Sequence, residues 1–145
     1  MTPDYSLTVE RLIPAPIERV FDAWLDPALL SQWMTPGPGM TVPEAVTNPT
    51  VGGRFRIVMR SDGPDLPHEG EYRVIDRPNR LVFTWQSEPA GPNSVVTLTF
   101  TSVGADQTRV TLTHDGFERE AARDSHRGGW TAILDALARV LQSAA

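Results

Sequence analysis

The chain has 145 residues and a formal net charge of −5, with no cysteine and no lysine. That removes disulfides, thiolate nucleophiles, zinc–cysteine sites, lysine Schiff-base chemistry and the P-loop lysine. There is no basic run, no apolar run near the roughly 20 residues of a membrane helix, and no signal-peptide pattern at the N-terminus, so we read a cytoplasmic protein without nucleic-acid or membrane partners.

YSLTVERLI alternates over Leu7, Val9, Arg11 and Ile13 and predicts a strand that Pro14 and Pro16 end. Ile17, Val20, Phe21 and Trp24 then recur at i, i+3, i+4 and i+7, the spacing of an amphipathic helix. Asp26 before Pro27 predicts an N-cap, with Leu29, Leu30 and Trp33 as the apolar side of a second short helix. Thr35 to Met40, TPGPGM, is too densely punctuated by Pro and Gly for regular structure.

A run of about six strands follows. GGRFRIVMR places Phe55, Ile57 and Met59 on one face and Arg54, Arg56 and Arg60 on the other. HEGEYRVID presents His68, Gly70, Tyr72 and Val74. After a tight turn at Arg77 to Asn79, RLVFTWQ presents Leu81, Phe83 and Trp85. SVVTLTFT turns Val96, Leu98 and Phe100 inward, and TRVTLTH does so with Val110, Leu112 and His114. Apolar residues on one face and short turns describe an antiparallel meander wetted on one side.

From about Glu118 to Ser143 the chain reads as one helix, with Trp130, Ile133, Leu134, Leu137 and Leu141 on a single stripe. The apolar face of the meander needs a cover, and this is the one element long enough. The fold class is therefore α+β, a helix-grip: a curved antiparallel sheet of about 6–7 strands around a long C-terminal helix, in one domain over residues 1–145. Gly128 and Gly129 interrupt this helix at roughly 1 kcal/mol each relative to alanine. Gly129 lies on the flank of the stripe, where a small residue admits a close neighbour or leaves room for a ligand. Gly128 points away from it.

Several of these segments resemble a known family: APIERVFDAWLDPALLSQW, GGRFRIVM, the pair GEYRVID and RPNRLVFTW, VTLTHDGF and GGWTAILDAL. In order and type they are similar to the START/SRPBCC superfamily, specifically the bacterial single-domain group related to the C-terminal domain of the activator of heat-shock-protein-90 ATPase. The resemblance implies an apolar cavity between sheet and C-terminal helix, expected to span roughly 300–1,000 Å³. Its walls would be Phe55, Ile57, Met59, Tyr72, Phe83, Trp85, Leu98, Phe100, Leu112, Trp130 and Leu134, with His114 at a strand end.

Arg123 and His126 continue the helical stripe upstream of Trp130. They either form a polar end to that cavity or overhang the sheet in water. Asp124-Ser125-His126 is not a triad, because adjacent helical residues do not face one another. Three scattered histidines lack ligand spacing, so neither metal nor cofactor is expected. The leading expectation is binding of a hydrophobic small molecule. A polyketide-cyclase or hydrolase-like enzyme using Tyr72, His114, Arg123 or His126 is the second reading. The third is an interaction module, a homodimer through the arginine face or a chaperone partner.

Overall fold

The computed structural model describes residues 5–35, 37 and 39–143. Pro36 and Pro38 of the Pro/Gly-rich loop, and the first four residues read for a targeting signal, lie outside them. Seven strands form one antiparallel sheet: β1 (Tyr5–Ile13), β2 (Thr41–Thr47), β3 (Arg54–Arg60), β4 (Leu66–Asp76), β5 (Arg80–Ser87), β6 (Gly91–Gly104) and β7 (Gln107–Phe117). Their spatial order is β1-β7-β6-β5-β4-β3-β2, so the first strand pairs with the last and the rest is a meander. Helices α1 (Ile17–Ala23) and α2 (Pro27–Trp33) carry the chain from one sheet edge to the other, and α3 (Glu120–Ser143) packs against the sheet. This is the expected α+β helix-grip.

Local chemistry sets the short helices. Asp26 Oδ1 accepts hydrogen bonds from the backbone N–H groups of Ala28 and Leu29, at 2.9 and 3.5 Å, and caps α2 with Pro27 in its first turn. The turn seats Trp33 against Trp24, ring centroids 4.5 Å apart, and both rings are buried. The carboxylate of Asp22 takes two hydrogen bonds from Arg77, at 2.8 and 2.9 Å, which tie α1 to the β4–β5 turn. That pairing holds the Asp22 carboxyl below the usual range.

Two details of the sheet differ from the periodic reading. Thr41–Thr47 is a strand that alternation does not reveal. It is an edge strand, mostly exposed, with Pro43 inside a register shift between Thr41 and Glu44. Edge strands tolerate Pro and need no apolar face. Within β4 the register slips between Tyr72 and Val74, because Tyr72 pairs with Phe83 but Val74 with Val82. The extra residue inverts the alternation, so Ile75 packs on the core where Val74 was expected.

Upstream of this bulge, Gly70 is dictated by packing. A Cβ there would meet the Thr84 carbonyl oxygen and would lie 2.5 and 2.6 Å from two atoms of the Phe55 ring. With only hydrogen at that position, Phe55 lies across β4 and meets Tyr72 at 5.4 Å and Phe83 at 5.3 Å.

Candidate functional site

The fully buried Trp130 anchors α3 to the sheet. Its indole Nε1–H donates to Nδ1 of His114 on β7, at 2.9 Å. Since Nδ1 accepts, the proton of neutral His114 sits on Nε2, which donates to Ser94 Oγ at 2.9 Å. Ser94 in turn donates to the Trp85 carbonyl at 2.5 Å. Every polar atom of this chain of groups has a partner. Burial, with a smaller contribution from the charge of His126, pushes His114 down to about 2. His114 is thus a neutral structural bridge between helix and sheet; it lies inside β7, which runs on to Phe117, rather than at the strand end expected, and it does not line the cavity.

Beside this bridge lies a cavity of about 140 Å³, bounded by Met40, Met59, Leu66, His68, Trp85, Pro89, Ser125, His126, Gly129, Trp130 and Ile133. Strand pairing assembles one wall: Met59 opposes Leu66 and Ile57 opposes His68 across β3 and β4. The His68 ring lies 4.8 Å from Trp85, and Trp85 lies 5.0 Å from Trp130. The opposite wall is one face of α3, from Ser125 and His126 through Gly129 to Ile133.

Of the residues expected to form the cavity, Met59, Trp85, His126 and Trp130 line it. Phe55, Ile57, Tyr72 and Phe83 surround, with Trp85, a second void of only about 10 Å³. Leu98, Phe100, Leu112 and Leu134 are core, Phe100 packing edge-on to Phe21 at 5.1 Å. The open space is smaller than the 300–1,000 Å³ expected, because the Phe55–Tyr72–Phe83 cluster fills the end of the sheet nearer α2. Met40, Leu66, Pro89, Ser125, Gly129 and Ile133 were not anticipated as lining. The i, i+4, i+8 spacing of Ser125, Gly129 and Ile133, and the place of Leu66 two residues before His68 on one strand, were the available signals.

The two glycines separate clearly. Gly129 forms part of the cavity wall. Gly128 is exposed, and an added Cβ there would meet nothing within 4 Å.

Arg123 and His126, neighbours on the stripe, part company. Arg123 bonds Asp124 at 2.6 Å, lies 3.6 Å from Glu120, reaches the Ser6 carbonyl and stands 5.6 Å over the Tyr5 ring. It clamps the start of α3 onto β1 and does not line the cavity. His126 does. Its Nδ1–H donates to the Ala122 carbonyl at 2.8 Å, so the neutral ring keeps its lone pair on Nε2. Burial lowers its pKa, against the opposing pull of the Ala122 carbonyl. Burial also pushes His68 down to about 4, although the backbone of Ile57 and Leu66 favours its charged form. Nδ1 of His68 and Nε1 of Trp85 are buried and have no hydrogen-bond partner.

The arginine face of β3 is paired. Arg56 reaches Glu44 and Glu69, each at 2.7 Å, Arg60 reaches Asp65 at 2.8 Å, and Arg54 donates to Gln86 at 3.0 Å. Among the described residues no group of three His, Cys, Asp or Glu could hold a metal, and no helix is long and apolar enough to cross a membrane.

The family model for activator of Hsp90 ATPase homolog 1-like proteins matches residues 14–142. The chain belongs to this family. Solved structures of similar fold include a Chromobacterium violaceum protein with TM-score 0.84 and 23% identity, covering 94% of this chain and 96% of its own. An AHSA1-like protein from Aeromonas hydrophila has TM-score 0.82 and 25% identity, with 97% and 94% covered. CalU16 from Micromonospora echinospora has TM-score 0.71 and 25% identity, with 94% and 75% covered. No curated protein matches the sequence. The AHSA1-like fold, within the START/SRPBCC superfamily, supports a ligand-binding or related role in general terms.

Proposed function

We propose that this AHSA1-like chain binds a small, largely apolar molecule in the cavity between α3 and strands β3 to β5. One observation carries the reading. The interface between helix and sheet is packed with buried side chains, yet a cleft of about 140 Å³, rimmed by the exposed Leu66, Pro89 and Ser125, stays open where Trp85, Trp130 and His68 present ring surfaces. Concave, mostly apolar sites with a few polar groups are where proteins bind small molecules. The wall includes Met40 and Met59, whose unbranched side chains adapt to a guest at little cost.

The test combines tryptophan fluorescence and thermal melting with apolar aromatics small enough for the cavity. A guest beside Trp85 and Trp130 should change emission. It should also raise the melting temperature, since binding to the native state alone stabilises it. Native mass spectrometry of freshly purified protein should show a bound small molecule. Flat emission and an unchanged melting temperature across the whole series would refute the reading.

A further inference from the structure

The chemistry of the cavity wall narrows the occupant, and the argument rests on the binding reading above. Size comes first. An apolar cavity of roughly 150 Å³ accommodates one benzene ring, and this one measures about 140 Å³. Shape comes second, since the ring surfaces of His68, Trp85 and Trp130 favour a flat aromatic guest stacked or edge-on against them.

Charge comes third. No Arg, Asp or Glu lines the cavity. Arg123, the nearest cation along the stripe, is engaged with Asp124, Glu120 and the Ser6 carbonyl. A carboxylate held there would lose hydration against the apolar lining and meet no counter-charge on it, which is costly.

Hydrogen bonding comes last. The Ala122 carbonyl takes the Nδ1 proton of His126, so Nε2 can only accept, and the guest must bring a donor. The facing wall holds Nε1 of Trp85 and Nδ1 of His68, both without partners. The lining is thus apolar in area but has unmet hydrogen-bonding demand.

We infer that the occupant is a neutral, single-ring aromatic alcohol of the phenol class, its hydroxyl donated to Nε2 of His126. A guest that lacks the donor and covers Nε2 leaves this half-buried acceptor unpaired, so the site discriminates against such an isostere.

Phenol, toluene and benzoate, all of one-ring size, are titrated at pH 7 against the whole protein by calorimetry. Phenol should bind at least about tenfold more tightly than toluene, and benzoate more weakly than both. In His126→Phe the phenol preference should fall to near unity while toluene binding persists. In wild-type protein labelled with ¹⁵N, phenol but not toluene should shift the His126 Nε2 resonance, a readout independent of how the variant folds. Equal binding of toluene and phenol would overturn the inference and leave the cavity reading standing. Tightest binding by benzoate would overturn the neutral class in the same way. Failure of all three to bind at millimolar concentration would overturn both.

Discussion

Acidification should unfold this protein through its buried histidines. His114 is held neutral down to about pH 2 and His68 down to about 4, against an ordinary value of 6.5. Below pH 6.5 the unfolded chain therefore binds protons that the native chain refuses. Stability then falls as pH falls, from the unfolded value towards each folded one. Between pH 7 and 5 each of the two should remove about 2 kcal/mol, at 1.36 kcal/mol per pH unit of full difference. Their sum, about 4 kcal/mol, is a large share of the roughly 5–15 kcal/mol typical of a domain. His126, also lowered by burial, acts in the same direction. Asp22 and Asp65, held down by Arg77 and Arg60, add their loss only once the carboxylate range is reached.

Urea melts at pH 7, 6 and 5 measure this slope directly. His114→Gln isolates one component. A Gln amide can accept from Trp130 and donate to Ser94, but it does not titrate. The variant should be less stable at pH 7 by about 1–2 kcal/mol, because a ring is replaced by a thinner side chain. By pH 5 the gap should close by about 2 kcal/mol. A wild-type stability that is flat from pH 7 to 5, or an identical slope in His114→Gln, would refute the assignment of His114 as a buried neutral bridge.

Trp130→Ala should cost about 3–5 kcal/mol in urea melts, since it empties a fully buried position. Trp130→Phe should cost about 1–3 kcal/mol, largely for leaving Nδ1 of His114 without its donor; a loss near zero in Trp130→Phe would show that the indole N–H contributes nothing. Gly128→Ala should raise stability by about 0.5–1 kcal/mol, because the site is helical and open. Gly70→Ala should lower it by about 3 kcal/mol or more, because the new methyl meets the Thr84 carbonyl and the Phe55 ring. Melts of both glycine variants check the signs.

Much of the architecture is local and was written into the chain. The 3.6-residue stripe from Trp130 to Leu141 and the two-residue alternation of β6 and β7 each bury one face, while β3 and β5 within the sheet also bury Val58, Val82 and Thr84 on the other. A long helix against a one-sided meander leaves few ways to assemble. The cap at Asp26 depends on residues within three positions of it. Two features of the sheet depend on pairing instead. The edge strand at Thr41–Thr47 has no face to bury and hence no periodic signal. The bulge that exchanges Val74 for Ile75 is a mismatch between two strands, visible only when both are paired.

The candidate site was legible only in part, for the same reason. Helical periodicity put Arg123 and His126 on one stripe with equal weight. What parts them is not on the helix: Tyr5 and Ser6 of β1, over a hundred residues away in sequence, capture Arg123, while β3 to β5 leave His126 facing open space. The family resemblance likewise implied a cavity but not its size, which is what remains after Phe55, Tyr72 and Phe83 have packed together over Gly70. Pattern along the chain determines which face of each element turns inward. Which inward residues meet one another, and where they leave space, is decided by strand register and by side chains packing across elements that the sequence keeps far apart.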